Sequence, residues 1–205
     1  DSARMTLPEV LGVMERAEAE KMTIVRLHTG DPSLYGAIRE QMDRLEEMGI
    51  AYDVCPGVSS FNGAAASLGA ELTLPEVSQT VIITRMAGRT AVPERESFRS
   101  LAAHHSTMAV FLSAGLLEEM EAELKEAGYR PDTPAAIVYK ATWPEEKAVR
   151  CTVSTLKETA EREGIRKTAM ILIGDVLGTR EENGYADSRL YAPDFTTGFR
   201  KGTDA

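Results

Sequence analysis

The sequence is poor in the features that mark metal-binding, membrane and nucleic-acid-binding proteins. Its 205 residues include only two cysteines, Cys55 and Cys151, with no C-x-x-C pair and no metal-like spacing, which is typical of a reduced cytosolic protein. No apolar run reaches the roughly 18–20 residues that span a bilayer, and no signal peptide is visible. The net charge of −9 disfavours a general surface for nucleic acids or acidic membranes. We therefore expect a cytoplasmic protein with no metal site, no nucleic-acid partner and no membrane partner.

What the chain does contain is an ordinary globular composition in alternating helical and strand patterns. Hydrophobic residues make up 43% of it and charged residues 27%, as in typical soluble domains. In the first part, apolar spacing predicts helices over 7–19 and 33–48 and strands over 23–29 and 50–55. Such alternation indicates parallel strands joined by right-handed crossovers.

A new pattern begins at residue 80, so we place a domain boundary near residue 78. This divides the chain into an incomplete N-terminal α/β domain over 1–78 and a C-terminal α/β domain with a short tail over 79–205. The elements predicted for the second domain are strands 80–84, 107–112, 134–139, 147–153 and 168–173 and helices 95–104, 116–127 and 155–163. The strands predicted over 134–139 and 147–153 are joined by a loop too short for a helical crossover. They therefore predict an antiparallel pair within a mixed sheet.

Two glycine-containing turns at predicted strand ends carry the strongest functional signal. The first is Thr-Gly-Asp-Pro-Ser-Leu-Tyr-Gly over 29–36, in which Asp31 is placed to cap a helix and Pro32 to occupy its first turn. The second is Pro-Gly-Val-Ser-Ser over 56–60, in which Ser59 or Ser60 can cap the next helix. Because open α/β sheets bind ligands at the carboxyl ends of their strands, these turns predict a small-molecule site. The first turn lacks the G-x-x-x-x-G-K-[ST] pattern, which disfavours a P-loop nucleotidase.

Together with three further segments, these turns resemble the tetrapyrrole methylase family over nearly the whole chain. The further segments are Thr-Arg-Met-Ala-Gly-Arg-Thr-Ala-Val-Pro at 84–93, Val-Tyr-Lys-Ala-Thr-Trp-Pro-Glu-Glu-Lys at 138–147 and Gly-Phe-Arg-Lys-Gly at 198–202. They point to the branch that methylates C11 of precorrin-4 or its cobalt form. The resemblance implies a two-domain α/β fold and transfer of a methyl group from S-adenosylmethionine in cobalamin biosynthesis, with S-adenosylhomocysteine as product. It also implies a homodimer.

The amino end departs from the family pattern. Family members begin with a strand and a Gly-x-Gly-x-Gly-Asp-Pro loop, whereas this sequence opens with Asp1-Ser2-Ala3-Arg4 and enters an amphipathic segment. We therefore expect that the N-terminal domain is cut short at its start.

The resemblance implies a donor site built from small side chains and main-chain groups. The matching positions for the donor are Thr29, Gly30, Asp31, Leu34, Ser59, Ser60, Ser113, Ala114 and Ala141. Asp31 is also the one tentative catalytic residue, although helix capping alone would explain it equally well. No catalytic triad is visible, which fits a displacement at an activated methyl.

A precorrin carries carboxylates around its rim, so the acceptor site needs cations. The matching positions are Arg85, Arg89, Lys140 and His28, since guanidinium groups bind carboxylates in a two-pronged fashion. Solvated loop charges, and a structural role for His28, are the simpler alternatives. For Trp143 we expect packing of its loop rather than stacking on a macrocycle.

Two other functions remain open at this point. One is another methylase of the family, acting on uroporphyrinogen III or a neighbouring precorrin. The other is a non-catalytic nucleotide-binding module that uses the first turn. The sequence does not decide whether the tetrapyrrole carries cobalt.

Overall fold

The computed structural model describes residues 2–203, which form two compact units that divide between Ser60 and Phe61. Seven α-helices are assigned in this range: α1 Leu7–Ala19, α2 Arg39–Glu47, α3 Ser60–Leu68, α4 Phe98–Ala102, α5 Leu117–Glu126, α6 Leu156–Glu163 and α7 Arg180–Asn183. Five strands are assigned: β1 Val81–Arg85, β2 Thr107–Phe111, β3 Pro134–Tyr139, β4 Lys147–Thr152 and β5 Ala169–Ile173.

The N-terminal unit is held by the apolar faces of α1 and α2. Helix α1 occupies the range predicted for it, and the carboxylate of Glu9 accepts the backbone N–H of Thr6 at 2.7 Å to close its first turn. Leu11 and Met14 of α1 pack against Leu45 of α2 in a small apolar cluster. The helical period brings these side chains to one face, and the helix predicted over 7–19 is confirmed.

The strands predicted over 23–29 and 50–55 are wrong as strands. Both segments lack regular secondary structure, and no ladder joins them to any strand among residues 2–203. A strand needs a neighbour to accept and donate its backbone hydrogen bonds. The segment 23–29 has the apolar pattern of a strand but no assigned strand, and its Val25 and Leu27 side chains are largely exposed.

The helix predicted over 33–48 begins only at Arg39. Tyr35 and Ala37 have φ values of 57° and 49°, in the left-handed region that a right-handed helix cannot include. Gly36 lies between them, where an added Cβ would lie 2.1 Å from the carbonyl oxygen of Pro32. Residues 32–38 therefore form turns instead of the first part of a helix.

The C-terminal unit is built on a mixed five-stranded sheet in the order β1-β2-β5-β3-β4. Strands β1 and β2 are parallel, and β5 is antiparallel to both β2 and β3. Strand β3 pairs with β4 in register from Pro134↔Thr152 to Tyr139↔Lys147, which confirms the predicted antiparallel pair. The α/β class with a mixed C-terminal sheet is thus confirmed.

The two faces of this sheet are covered by different elements. One face buries Met108, Val110, Ile137 and Ile171 against residues of α4, α5 and α6. The other buries Ala109, Phe111, Val138 and Leu172 together with Ala64 of α3. Alternate residues of each strand point to opposite faces, as a pleated strand requires.

The division between the units lies earlier than the boundary predicted near residue 78. Helix α3 and the connector after it pack on the sheet of the C-terminal unit: Ala64, Phe61 and Leu72 belong to the same apolar cluster as β2 and β3. The connector also hydrogen-bonds to the sheet, since the Thr107 hydroxyl donates to the carbonyl of Leu72 at 2.9 Å. The domain ranges 1–78 and 79–205 stay a prediction.

Candidate active site

Asp31 organises the first turn, but as an Asx turn and not as a helix cap. Its Oδ1 accepts the backbone N–H of Ser33 at 2.8 Å and also the Ser33 hydroxyl. No helix follows directly, because α2 begins eight residues later. The capping role considered for Asp31 is therefore wrong, and its carboxylate serves the turn itself.

The same carboxylate joins the first turn to the second. Asp31 Oδ2 accepts the backbone N–H of Gly57 at 2.9 Å. The contact leaves no room for a side chain, since a Cβ on Gly57 would lie 2.3 Å from the carbonyl oxygen of Gly30. A Cβ on Gly30 would lie 3.6 Å from the carbonyl oxygen of Val58. The two glycine turns thus meet backbone to backbone.

This contact brings most of the predicted donor residues of the N-terminal unit together. Thr29 and Gly30 lie beside Asp31 in the first turn, while Ser59 and Ser60 follow Gly57 in the second. Ser59 is buried, whereas Thr29, Gly30 and Ser60 are exposed. Leu34, the remaining member, is half-buried.

The electrostatics of the first turn are set by hydrogen bonds to Asp31 and by burial of His28. The Ser33 hydroxyl, followed by the N–H groups of Gly57 and Ser33, lowers the pKa of Asp31, so the carboxylate is charged at neutral pH. Burial, with a smaller contribution from Arg26, lowers the pKa of His28. The imidazole is therefore neutral near pH 7 and can donate one hydrogen bond to a carboxylate.

In the C-terminal unit, strand direction gathers the other predicted residues at one edge. Strands β1, β2 and β3 all run the same way, because β5 is antiparallel to both β2 and β3. Their carboxyl ends, Arg85, Phe111 and Tyr139, consequently share one edge of the sheet. Ser113 and Ala114 follow β2 there, and Lys140 and Ala141 follow β3. The ends of β2 and β3 are separated by β5, hence by about 10 Å.

Ser113 uses its hydroxyl to fix the turn after β2. The side chain is fully buried, donates to the carbonyl of Phe111 at 2.7 Å and accepts the N–H of Met86 at 2.9 Å. The preceding residue, Leu112, has a φ of 53° and is 75% exposed. Ser113 thus ties the loop after β1 to the end of β2, and half-buried Ala114 packs at the rim of the core.

The two arginines of the loop after β1 have different surroundings. The Arg85 guanidinium donates to the carbonyls of Met86, Thr90 and Ala91 at 3.2, 3.1 and 2.7 Å, so it closes its own loop. Arg89 lies exposed in that loop and makes no hydrogen bond or ion pair with any residue that the structure describes. Arg89 is the freer cation of the two.

Lys140 and Ala141 lie in a constrained turn after β3. Lys140 has a φ of 47°, its N–H donates to the carbonyl of Thr168 at 2.9 Å, and its ammonium lies 3.5 Å from a carboxylate oxygen of Glu145. Half-buried Ala141 packs beside α3, because a Cβ placed on Gly63 would lie 3.5 Å from the Ala141 Cβ.

With this geometry described, the chain can be compared with known proteins. The sequence model of the Tetrapyrrole (Corrin/Porphyrin) Methylases matches residues 3–157. The chain belongs to this family.

Curated relatives of this methylase at 40% identity or more carry the name of one branch. It is 52% identical over 201 residues to the cobalt-precorrin-4 C(11)-methyltransferase of Methanocaldococcus jannaschii, covering 98% of this chain and 76% of the relative. It is 41% identical to the precorrin-4 C(11)-methyltransferase of Pseudomonas aeruginosa, covering 98% of this chain and 79% of the relative. The methylase is therefore a methyltransferase enzyme, which excludes the non-catalytic module.

Solved structures support the same fold. A cobalt precorrin-4 methyltransferase, described as a cobalamin biosynthetic enzyme, aligns with a TM-score of 0.85 at 49% identity, covering 87% of this chain and 74% of that one. A uroporphyrin-III C-methyltransferase from Thermus thermophilus, complexed with S-adenosyl homocysteine, aligns with a TM-score of 0.65 at 26% identity, covering 82% and 72%. The tetrapyrrole methylase fold predicted from the motifs is confirmed.

Two residues that position the site were not among the predicted site residues. Gly57 completes the contact between the turns, and the Pro-Gly pair at 56–57 was its only sequence signal. Glu145 neutralises Lys140, and no sequence pattern distinguishes it from the neighbouring Glu146.

The methylase offers no metal cluster in the part of the chain that the structure describes. No group of three or more His, Cys, Asp or Glu side chains in residues 2–203 is arranged to hold a metal ion. Cys55 and Cys151 are both free thiols. No helix within the described range has the length and apolarity needed to cross a membrane.

Proposed function

We propose that this methylase transfers the methyl group of S-adenosylmethionine to C11 of precorrin-4 or cobalt-precorrin-4 in cobalamin biosynthesis. The observation that carries the proposal is the difference in identity between branches. Relatives with the precorrin-4 names reach 52%, 49% and 41%, whereas the uroporphyrinogen-III C-methyltransferase of Bacillus subtilis reaches 30%. The branch-specific segments at 84–93, 138–147 and 198–202 support the same assignment.

The chain fits a donor that approaches the backbone closely. Gly57 allows two turns to meet where a side chain would collide with the Gly30 carbonyl, and Gly30, Val58 and Ser60 are exposed around this contact. Asp31 adds a carboxylate whose lowered pKa keeps it charged. Small residues, main-chain groups and a fixed anion suit a ligand with a cationic sulfur and many polar atoms.

S-adenosylmethionine, when bound, supplies a methyl group already activated by its sulfonium. The protein therefore needs no nucleophile of its own, and its contribution is alignment of the reactants, which accounts for several kcal/mol of barrier in well-positioned reactions. We assign this positioning to Thr29, Gly30, Asp31, Leu34, Ser59 and Ser60 in the N-terminal unit and to Ser113, Ala114 and Ala141 in the C-terminal unit. Asp31 is the residue that we expect nearest the reacting centre.

Acceptor binding is assigned to the cations at the shared edge of the sheet and to His28. Within residues 2–203 the Arg89 guanidinium has no hydrogen-bond or ion-pair partner, and Lys140 lies beside the exposed carboxylate of Glu145. Arg85 contributes its charge while holding the loop. His28, neutral near pH 7, contributes a hydrogen bond. These four residues would meet the carboxylates on the rim of the tetrapyrrole.

Two features of the working enzyme belong to the same proposal. We infer that it acts as a homodimer, which light scattering on the purified protein tests directly: a single-chain mass at working concentration contradicts it. We also infer a cytoplasmic location, which fractionation of the source cells tests.

The experiment that tests the function combines binding and turnover. Calorimetric titration with S-adenosylhomocysteine should give a saturable isotherm, and methyl-labelled S-adenosylmethionine should transfer its label to precorrin-4 or cobalt-precorrin-4. Transfer to uroporphyrinogen III, with none to either precorrin-4 form, would assign the protein to a different branch.

A further inference from the structure

The proposed function uses Lys140 but not the rings and the carboxylate around it, which belong to the end of β3 and to the loop joining β3 to β4, residues 140–146. The ammonium of Lys140 lies 5.0 Å from the centroid of the Trp143 ring and 5.5 Å from that of Tyr139. Both distances are within the range in which a ring face attracts a cation. Two aromatic rings thus hold one ammonium at the edge of the sheet where β1, β2 and β3 end.

The backbone of this loop includes two residues in the left-handed conformation, Lys140 and Thr142. Their φ values are 47° and 69°, in the left-handed region that only a few per cent of non-glycine residues adopt. Four hydrogen bonds hold the loop. The N–H of Lys140 donates to the Thr168 carbonyl at 2.9 Å, that of Trp143 to the Lys140 carbonyl at 2.9 Å, that of Glu146 to the Trp143 carbonyl at 3.0 Å, and that of Thr142 to the Glu146 carboxylate at 2.5 Å. The Lys140 side chain is therefore directed by a rigid turn and is only 23% exposed.

The one carboxylate paired with this ammonium is weakly attached. Glu145 Oε2 lies 3.5 Å from Lys140 Nζ, longer than the 2.7–2.9 Å of a strong charge-assisted hydrogen bond. Its side chain is 61% exposed. No other ion pair involves Lys140 among residues 2–203. Glu146, by contrast, is fixed by Thr142 and by the Ser67 hydroxyl, which lower its pKa, and it does not compete for Lys140.

We propose that Trp143 and Tyr139 are positioning residues that hold the Lys140 ammonium for a carboxylate of the tetrapyrrole, and that Glu145 is an internal counter-ion that this carboxylate displaces. The inference rests on the proposed function for the identity of the acceptor. It assigns a role to Trp143 that is neither loop packing alone nor stacking on the macrocycle. The ion pair of Lys140 with Glu145 is replaced by an ion pair of Lys140 with the tetrapyrrole carboxylate, and no covalent bond is made or broken.

Removal of the counter-ion provides the sharpest test. Glu145→Gln keeps the size of the side chain and removes its charge, so it should tighten binding of uroporphyrin III, a tetrapyrrole with a carboxylate rim, by about three- to tenfold. The matched control is Glu118→Gln, which removes another exposed carboxylate from its ion pair with Lys157 elsewhere in the same unit and changes the net charge identically. Equal tightening in both variants would overturn the proposal, because it would reflect net charge alone.

Two substitutions of Trp143 test the role of its aromatic ring. Trp143→Phe keeps an aromatic face and should bind uroporphyrin III within about twofold of wild type, whereas Trp143→Leu should weaken it by about tenfold. S-adenosylhomocysteine affinity and the melting temperature should stay unchanged in both. Parallel losses in donor affinity and melting temperature would show a merely structural role.

Binding and turnover measurements distinguish the proposed function from the role proposed for the loop. If wild type fails to methylate either precorrin-4 form, the proposed function falls, while the binding ratios still decide the role of the loop. If wild type methylates precorrin-4 and Glu145→Gln binds uroporphyrin III no more tightly than wild type, the counter-ion proposal alone is contradicted.

Discussion

The carboxylate of Asp31 accepts the backbone N–H of Gly57 at 2.9 Å and thereby joins two turns that are 26 residues apart in the chain. The other oxygen of the same carboxylate holds Ser33 within its own turn. One side chain thus fixes both the shape of the first turn and its contact with the second. All donor residues assigned to the N-terminal unit belong to these two turns.

Replacement of Asp31 by Asn should separate the two turns. The amide group of Asn cannot accept at both positions, so either Gly57 or Ser33 loses its acceptor. We expect the dissociation constant for S-adenosylhomocysteine to rise by about tenfold, as for loss of one charge-assisted hydrogen bond, and calorimetry measures it. The control is Asp43→Asn, which removes the same charge from an exposed ion pair with Arg39. Unchanged affinity in Asp31→Asn would contradict the role given to this carboxylate.

The pH dependence of the Asp31–Gly57 contact follows from the direction in which the pKa of Asp31 is shifted. The pKa of Asp31 in the folded protein lies below the ordinary value of 3.8. The charged carboxylate therefore stabilises the folded turns fully above pH 3.8, and this stabilisation is lost as the pH falls through the pKa of the folded protein. Between pH 5 and pH 7, no change in donor affinity should therefore arise from Asp31. A fall in wild-type affinity in that window that is absent in Asp31→Asn would show that the assignment of the shift is wrong.

Gly57→Ala tests the close approach of the turns. The added Cβ would lie 2.3 Å from the Gly30 carbonyl oxygen, so the backbones must move apart, at a cost of about 1–3 kcal/mol. We expect donor binding to fall below detection in calorimetry. Gly12→Ala is the control within the same unit: its Cβ would meet only the far end of Arg16 at 3.7 Å. Since Gly12 lies inside α1, that change should stabilise the helix by about 0.5–1 kcal/mol. Wild-type donor affinity in Gly57→Ala would refute the predicted collision.

Ser113→Ala tests the tie between β1 and β2. It leaves the N–H of Met86 without its acceptor in a buried position, which should cost about 1–3 kcal/mol. Trp143, the single tryptophan of the chain, lies in this unit, so its fluorescence during urea unfolding reports the change. Ser154→Ala, which removes an exposed hydroxyl, should cost less than about 0.5 kcal/mol. Similar losses in the two variants would argue against the bridging role of Ser113.

The two arginines of the loop after β1 should respond differently to truncation. Arg89→Ala removes a cation that has no partner in the described part of the chain, so KM for the acceptor should rise about tenfold without any change in melting temperature. Arg85→Ala removes three contacts to carbonyls of the loop and should lower the melting temperature as well. Steady-state kinetics and thermal unfolding distinguish the two. An unchanged KM in Arg89→Ala would show that this guanidinium is only surface charge.

The two thiols should differ in reactivity. Burial, followed by the charge of Glu121, raises the pKa of Cys151 to about 12, whereas Cys55 is exposed. Because the thiolate is the reactive form, a disulfide reagent at pH 8 should modify one thiol rapidly and the second only after unfolding. Cys151→Ala should abolish the slow phase alone. Two equally fast thiols in the native protein would contradict the burial of Cys151.

Local signals predicted the C-terminal unit well. All five strands fall within two residues of their predicted bounds. Strands β1, β2, β3 and β5 are largely apolar runs, and Gly174 follows β5, whereas β4 mixes apolar and polar residues and contains no buried residue. The order β1-β2-β5-β3-β4 was not predictable, since pairing between distant strands depends on tertiary packing that periodicity does not encode.

In the N-terminal unit the structure differs from the secondary structure that the sequence pattern predicts. The apolar stripe through Leu34, Ile38 and Met42 continues the helical period, yet Tyr35 and Ala37 adopt left-handed backbone that only the folded turn requires. Residues 23–29 alternate like a strand but pair with no strand that the structure describes within 2–203. For the site, residue types at strand ends were predictable, while the Asp31–Gly57 contact and the Glu145–Lys140 pair arise only in three dimensions.

The most direct test of the account is the position of the transferred methyl group. The purified protein is incubated with S-adenosylmethionine carrying a ¹³C-labelled methyl group and with precorrin-4 or cobalt-precorrin-4, and the product is examined by NMR. The account predicts a single new labelled methyl resonance at C11. A label at any other carbon, or none in the tetrapyrrole while S-adenosylhomocysteine binds normally, would contradict it.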